Sequence, residues 1–323
     1  MNILGFGTGI ATLLSGAATG VAGSLLNKST YCKESIKINN TMAAGAVSLG
    51  IDGAVYNLWL SGEVLHEAGT WLATDLIKIK DNTGTEWFKV MVNTDKTYKI
   101  AYWNGSAWIE SSNSTYVDAA ALHRIDVEYA ADAVRLYVDS VLECEMVASI
   151  TQAANTLLTA ELYNPQSEST AHSYWSAVFA ADSSTRKTIM NQHTLTADGT
   201  HYNDFNGTYD DVDDFATLGE STSINTEFGN SLQTFQKDAV PAALSSGYAV
   251  TALGLYARAV ENSEVASSLQ TVMTDGVTDK LGDLVATPSV YTTIKQIEAN
   301  ANDGGSWNVT KLDAVEVGVK CVI

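Results

Sequence analysis

Between Leu72 and Trp108 the chain alternates apolar and polar residues with a period of two, in three successive runs. Ile77 and Ile79 oppose Lys78 and Lys80. Phe88, Val90 and Val92 oppose Trp87, Lys89 and Met91, and Ile100 and Tyr102 oppose Lys99 and Ala101. Successive side chains of a strand point to opposite faces, so these runs predict strands with one face in a core and the other toward water. Turn-formers separate the runs: Asp81-Asn82-Thr83-Gly84, Asn93-Thr94-Asp95 and Asn104-Gly105. Consecutive strands with short joints predict an antiparallel meander.

The same grammar extends in both directions. Short apolar runs predict strands at Ile3–Phe6, Tyr31–Ile38, Tyr56–Leu65, Arg124–Tyr129, Val134–Asp139 and Ser173–Ala180, with a Gly/Ala/Ser loop over 15–29. Each such sheet has one apolar face to bury, and the economical solution is a sandwich of two sheets. The second half carries its own alternating runs at Ala249–Ala259, Val265–Met273 and Ala314–Ile323. In the last, Val315, Val317, Val319, Cys321 and Ile323 share a face. The expected fold is therefore all-β, with two β-sandwich domains in tandem. The first spans 1–182 and a smaller one spans 183–323, joined by a linker between Ala180 and Asp198.

Composition narrows the function. With 46% hydrophobic residues in 323, the chain is not intrinsically disordered. Pro is scarce at 3 and Gly plentiful at 24, which fits β structure with small-residue loops. A net charge of −19 and no Lys/Arg cluster argue against nucleic acid, whose phosphates need a cationic footprint. The plain meaning of the acidity is solubility; the sharper one is attachment to a larger assembly or cation binding. Cys32, Cys144 and Cys321 are odd in number and widely spaced, so they suggest buried free thiols rather than disulfides or a metal motif. The apolar start, MNILGFGTGIATLLSGAATGVAGSLL, has no Lys or Arg before Lys28 and five glycines between Gly5 and Gly20. It is expected to form a strand and loop rather than a signal peptide or a membrane segment.

Against this background the first half resembles concanavalin A-like and laminin-G-like jelly rolls over residues 3–182. Gly5-Phe6-Gly7-Thr8-Gly9 resembles the family's GFExGD opening, although Gly7 and Ile10 stand where acids are usual. Tyr31–Ile38 resembles its second strand. Leu122-His123-Arg124-Ile125-Asp126-Val127 and Val134-Arg135-Leu136-Tyr137-Val138-Asp139 resemble its most specific hairpin. The second half resembles, over 178–323, the C-terminal module of tailed-bacteriophage virion proteins that carry such an N-terminal domain. The carrying residues are Ala181-Asp182-Ser183, Asp198-Gly199, Phe205-Asn206-Gly207, Tyr209-Asp210-Asp211-Val212-Asp213-Asp214, Tyr256-Ala257-Arg258-Ala259, Trp307 and Leu312–Val319. The resemblance implies a structural virion protein.

Few residues promise chemistry. Jelly-roll glycosidases need paired carboxylates on one strand, and Asp126-Val127-Glu128 is the nearest approach. It lacks the first Glu of the usual ExDxxE strand, so a solvated strand face is the simpler account. His66, His123, His172, His193 and His201 stand in no catalytic motif, and no catalytic residue is assigned. Asp210, Asp211, Asp213 and Asp214, near Asp204 and Asn206, offer oxygen donors of the kind Ca²⁺ takes. Their spacing is not that of an EF-hand, and a polar turn is the plainer account. Trp87, Tyr102, Trp103 and Trp108 offer aromatic faces on which sugars stack.

The expectation is a non-enzymatic protein on the exterior of a phage virion, made in the host cytoplasm. It decorates the capsid by contact with the major capsid protein or other virion proteins, as a homo-oligomer such as a trimer, without nucleic acid, membrane or an obligatory cofactor. The alternative is a tail-fibre or baseplate component that binds host-surface glycan through the lectin-like domain.

Overall fold

The structure is a computed structural model that describes residues 3–7, 21–22, 35–40, 47–52, 57–150, 157–202, 204–212, 223–226, 230–245, 248–261, 267–287, 289 and 292–322. The chain divides into two compact units, Met1–Gln192 and His193–Ile323. Among the described residues, no helix is long and apolar enough to cross a membrane.

The first unit contains β1 (Ile3–Gly7), β2 (Val21–Ala22), β3 (Ile36–Ile38), β4 (Ser48–Asp52), β5 (Asn57–His66), β6 (Thr74–Asp81) and β7 (Glu86–Val92). It continues with β8 (Tyr98–Trp103), β9 (Trp108–Glu110), β10 (Leu122–Ala130), β11 (Ala133–Val138), β12 (Val141–Val147), β13 (Leu157–Leu162) and β14 (Ser173–Ala181). One sheet runs β12-β11-β10-β5-β14-β3-β2, with β1 also paired to β14. The other runs β4-β13-β6-β7-β8-β9. The expected meander is β6 to β9, in antiparallel register from Phe88↔Tyr102 to Val92↔Tyr98.

The alternation explains the core. Leu58, Leu60 and Val64 of β5 and Ile125, Val127 and Tyr129 of β10 face Ile77, Ile79, Phe88 and Val90 of the second sheet. The Phe88 and Tyr129 rings meet 5.8 Å apart. Each large apolar side chain buried this way contributes about 1.5–3 kcal/mol. Trp175 lies over Gly62, where a Cβ would stand 3.2 Å from two ring carbons, so the glycine makes room for the indole.

Several elements differ from the expectation. The described part of the Tyr31–Ile38 run is strand only over Ile36–Ile38; residues 31–34 and Cys32 lie outside the described residues. Strand β4 sits in a Gly/Ala-rich stretch where only Leu49 and Ile51 carry the pattern. Strand β12 is an edge strand with Val141, Leu142 and Val147 exposed, so its inward face is marked by Cys144 alone among fully buried residues.

Asp126 departs most from its expected solvated face: it is 0% exposed. Its carboxylate receives Arg124 Nε at 3.1 Å and Thr185 Oγ1 at 2.7 Å. Arg124 also donates to the carbonyls of Thr185 and Thr188, and Ser140 Oγ donates to that of Arg186. The Arg186 guanidinium covers the Tyr137 ring at 4.4 Å, and Tyr137 stacks on Trp59 at 5.8 Å. The stretch Thr185–Thr188 is therefore bound to the outer face of the larger sheet. The first unit extends to Gln192, past the expected boundary at 182, because this segment buries the strand face beneath it.

The second unit contains β15 (Leu195–Asp198), β16 (Leu232–Lys237), β17 (Leu253–Ala259), β18 (Ser268–Thr274), β19 (Asp279–Leu281), β20 (Val285–Ala286), β21 (Thr292–Glu298) and β22 (Glu316–Val322), with helices α1 (Ala242–Ser245) and α2 (Val309–Ala314). A six-stranded sheet runs β15-β16-β22-β18-β19 with β20 on β18, beside a two-stranded β17-β21 ribbon. Leu253, Met273, Trp307, Leu312, Val315 and Val317 form its core. The last strand begins at Glu316 rather than Ala314, because Asn308 caps α2 by accepting from Lys311 N at 2.9 Å.

Gly318 permits β22 to approach β16. A Cβ there would fall 2.0 Å from the Gln233 carbonyl oxygen and 2.8 Å from Thr234 Cα, both backbone atoms that cannot rotate away. Gly318→Ala is expected to destabilise the second unit by about 3 kcal/mol or more, as overpacked cores do. Chemical denaturation of the full chain followed by Trp fluorescence checks it; a loss below about 0.5 kcal/mol, the range of neutral surface changes, refutes the close-approach account.

Candidate functional site

The outer face of the first unit's sheet β4-β13-β6-β7-β8-β9 brings together two of the four expected sugar-stacking residues. Strands β8 and β9 pair Trp103 with Trp108, and the two rings meet edge to face, 5.8 Å apart at 60°. Asn104 shapes the turn between them by accepting from Ser106 N at 2.9 Å and Ala107 N at 2.8 Å. Gly105 adopts a φ of +95°, which an L side chain would resist. Lys89 Nζ sits 4.3 Å from the centre of the Trp108 ring, within cation–π range.

Tyr102 does not join this group. Period two turns it inward between Ala101 and Trp103, and it is 7% exposed within the core. Trp87 is half-buried against the core, and its Nε1 donates to Asp81 Oδ2 at 2.9 Å. It anchors the β6–β7 turn. Of the four aromatic candidates, Trp103 and Trp108, themselves half-buried, are the two whose rings meet.

The alternation in β6 places Lys78 and Lys80 on its watery side, where carboxylates from other positions meet them. Lys78 pairs with Asp75 at 3.1 Å and Glu86 at 3.2 Å, and Lys80 with Glu161 at 2.8 Å and Glu86 at 3.7 Å. Lys89 pairs with Glu86 at 2.8 Å and Asp75 at 3.5 Å, and Lys99 with Glu110 at 2.6 Å. Glu86 is thus shared by three lysines. Burial works against the charge on both Lys78 and Glu86, but their mutual hydrogen bonds and those to Asp75 and Lys89 outweigh it. The lysine pKa is raised and the glutamate pKa lowered. At the far side of the face Tyr163 stands under Lys78, whose Nζ is 5.3 Å from the ring centre, and the Tyr163 hydroxyl donates to Glu161. The signal was the lysine phase in Lys78, Lys80, Lys89 and Lys99; the partners came from other strands.

Part of the acidic loop is described. Asp211 Oδ2 accepts from Thr208 N at 2.9 Å at a short 3-10 turn, Tyr209–Asp211, while Asp210 is exposed. Asp204 Oδ2 accepts from Leu232 N at 3.1 Å. Asp213 and Asp214 lie outside the described residues. Among the described residues, no three His, Cys, Asp or Glu side chains gather as a metal site.

A Ser–His–Asp sequence exists, but inside the protein. Ser173, His66 and Asp118 are 0%, 0% and 2% exposed. Ser173 Oγ donates its proton to Asn164 Oδ1 at 2.8 Å, so it accepts from His66 Nδ1 at 2.6 Å. His66 Nε2 lacks a hydrogen-bond partner and stands 3.9 Å from Asp118 Oδ2. The serine proton points away from the imidazole, the reverse of a nucleophile and its base. Asp118 instead accepts from Tyr98 Oη at 2.6 Å and Ala120 N at 2.9 Å, and faces His123 Nε2 at 3.5 Å. Glu128, the partner of Asp126 in the weighed carboxylate pair, is held by Arg135 at 2.8 Å.

No protein-family model matches the chain, and no curated protein matches it. Solved structures do. The receptor-binding domain of botulinum neurotoxin D is 7% identical, with a TM-score of 0.38 over 54% of this chain and 49% of that one. The galectin LEC-6 of Caenorhabditis elegans is 10% identical, with a TM-score of 0.32 over 45% of this chain and 95% of that one. A sialidase is 10% identical, with a TM-score of 0.33, and the chain covers only 15% of its length. At 7–10% identity and TM-scores of 0.38 or less, these likenesses assign nothing to this chain.

The buried histidines give the first unit opposing pH responses. Desolvation, only partly offset by Asp118, lowers the His66 pKa from 6.5 to about 4. The unfolded chain therefore takes up this proton first, and stability falls as pH drops from 6.5 toward about 4. For His123, burial opposes the charge but the hydrogen bond and charge of Asp118, with Asp139, raise the pKa. Its contribution is full below its unfolded pKa and fades as pH rises through the folded one. From about pH 8 down to about 4, His66→Gln is expected to flatten the loss of stability that sets in below 6.5, and His123→Gln to remove the loss that His123 contributes as the pH rises above 6.5. Thermal melts across this range test both; parallel curves for wild type and His66→Gln would refute the assignment.

Proposed function

We propose that the first unit is a non-enzymatic glycan-binding module and that the outer face of its six-stranded sheet is the binding face. The Trp103–Trp108 pair carries this reading. Two half-buried indoles meet across a hairpin at the edge of a sheet whose opposite face already holds the core, and neither ring belongs to that core. Sugars offer apolar C–H faces that stack on such rings and hydroxyls that need both donors and acceptors. The lysines and carboxylates beside the rings supply both kinds of partner. The side chains nearest to a catalytic set are engaged structurally: Asp126 with Arg124 and Thr185, Glu128 with Arg135, and Ser173 with Asn164.

The scattered series from Asp182 to Val319 supports a compatible reading of the whole chain. In it the protein is a virion structural component of a tailed phage, decorating the capsid exterior or sitting at the tail, with other virion proteins and further copies of itself as partners. The acidic charge of −19 favours solubility before assembly.

Trp103→Ala and Trp108→Ala are each expected to weaken binding to a glycan-array hit by about tenfold or more, with an unchanged circular dichroism spectrum. Wild-type protein that binds no glycan on the array would overturn the module reading. Antibody labelling of intact particles separates the locations: regular labelling of the head supports decoration, and labelling confined to the tail tip refutes it.

A further inference from the structure

Resting on the glycan-binding reading above, the geometry points to a specific class of ligand: an extended, electrically neutral oligosaccharide that lies across the strands. Two observations carry this. The first is charge. Lys78, Lys80, Lys89 and Lys99 are matched on the same face by Asp75, Glu86, Glu110 and Glu161, each lysine within 3.2 Å of a carboxylate oxygen. Between β13 and β9 these charges cancel, on a chain of net charge −19; Asp52 on the flanking β4 adds one more negative charge. An anionic sugar would have to displace a carboxylate from its lysine and approach a protein of its own sign. A neutral sugar needs no displacement, because paired ammonium and carboxylate groups keep spare donors and lone pairs for hydroxyls.

The second observation is span. Tyr163 follows β13 at one side and Trp108 opens β9 at the other, with β6, β7 and β8 between them. Adjacent strands lie about 4.8 Å apart, so the rings flank a face roughly 19 Å wide. The row Glu161–Lys78–Lys89–Ala101–Glu110 crosses it in register, ladder partner by ladder partner. A mono- or disaccharide reaches only one end. A longer chain reaches the indole pair, the ion-pair lattice and the Tyr163 ring together.

The test is an array of neutral, uronic, sialylated and sulfated oligosaccharides of two to eight residues, followed by calorimetry on a length series of the best binder. The expected result is a neutral hit whose affinity rises at least tenfold from the disaccharide before it levels. Trp108→Ala should weaken every length, whereas Tyr163→Ala should weaken the long members and leave the disaccharide unchanged. An anionic hit that outbinds the neutral glycans overturns the inference. So does a disaccharide that binds as tightly as the longest member. Either of these leaves glycan binding itself intact, whereas no binding to any class overturns both.

Discussion

Burial of the inner faces of two antiparallel sheets is the constraint on which the first unit depends. A strand has only two faces, and the packing of Leu60, Ile125, Ile79 and Phe88 commits one of them to the core. The other face of every strand is then displayed without further choice. Lys78 and Lys80 point outward because Ile77 and Ile79 point inward, and Tyr102 is withdrawn from the indole pair for the same reason. A slip of one residue in register would exchange the lysines for the isoleucines, which makes the outward pattern as firmly specified as the core.

The two outer faces have been used in opposite ways. On the larger sheet the chain covers its own surface: Thr185–Thr188 lie over it, and Asp126 loses its water to Arg124 and Thr185. A carboxylate desolvated to that extent is tenable only because a guanidinium and a hydroxyl replace its hydration. On the smaller sheet the polar groups satisfy one another in the plane of the surface. Exposed ion pairs contribute only about 0–1 kcal/mol each, so the lattice around Glu86 is a weak source of stability. Its effect is to hold long side chains in place beside Trp108, which lowers the ordering cost of any ligand that settles there.

The second unit shows the same economy with less material. Its core is small, and it relies on close backbone approach at Gly318 and on the capped helix Val309–Ala314 beneath the sheet. Asn308 and Gly318 are both residues whose backbone preferences matter more than their hydrophobicity, and neither is marked by the period-two pattern.

The all-β class, the meander from Thr74 to Glu110 and the hairpin from Leu122 to Val138 were legible in the sequence, because period two is a local property that each strand displays by itself. The position of Trp103 beside Trp108 was legible too, since a tight turn at Asn104-Gly105 forces the residues that flank it together. What only the tertiary structure decided were contacts between residues distant in the chain. They include Glu161 with Lys80, Thr185 with Asp126, Asn164 with Ser173, and the extent of the first unit to Gln192. Local pattern states which face a side chain takes. Which other strand supplies its partner depends on sheet order, and sheet order is settled by the packing of the whole unit.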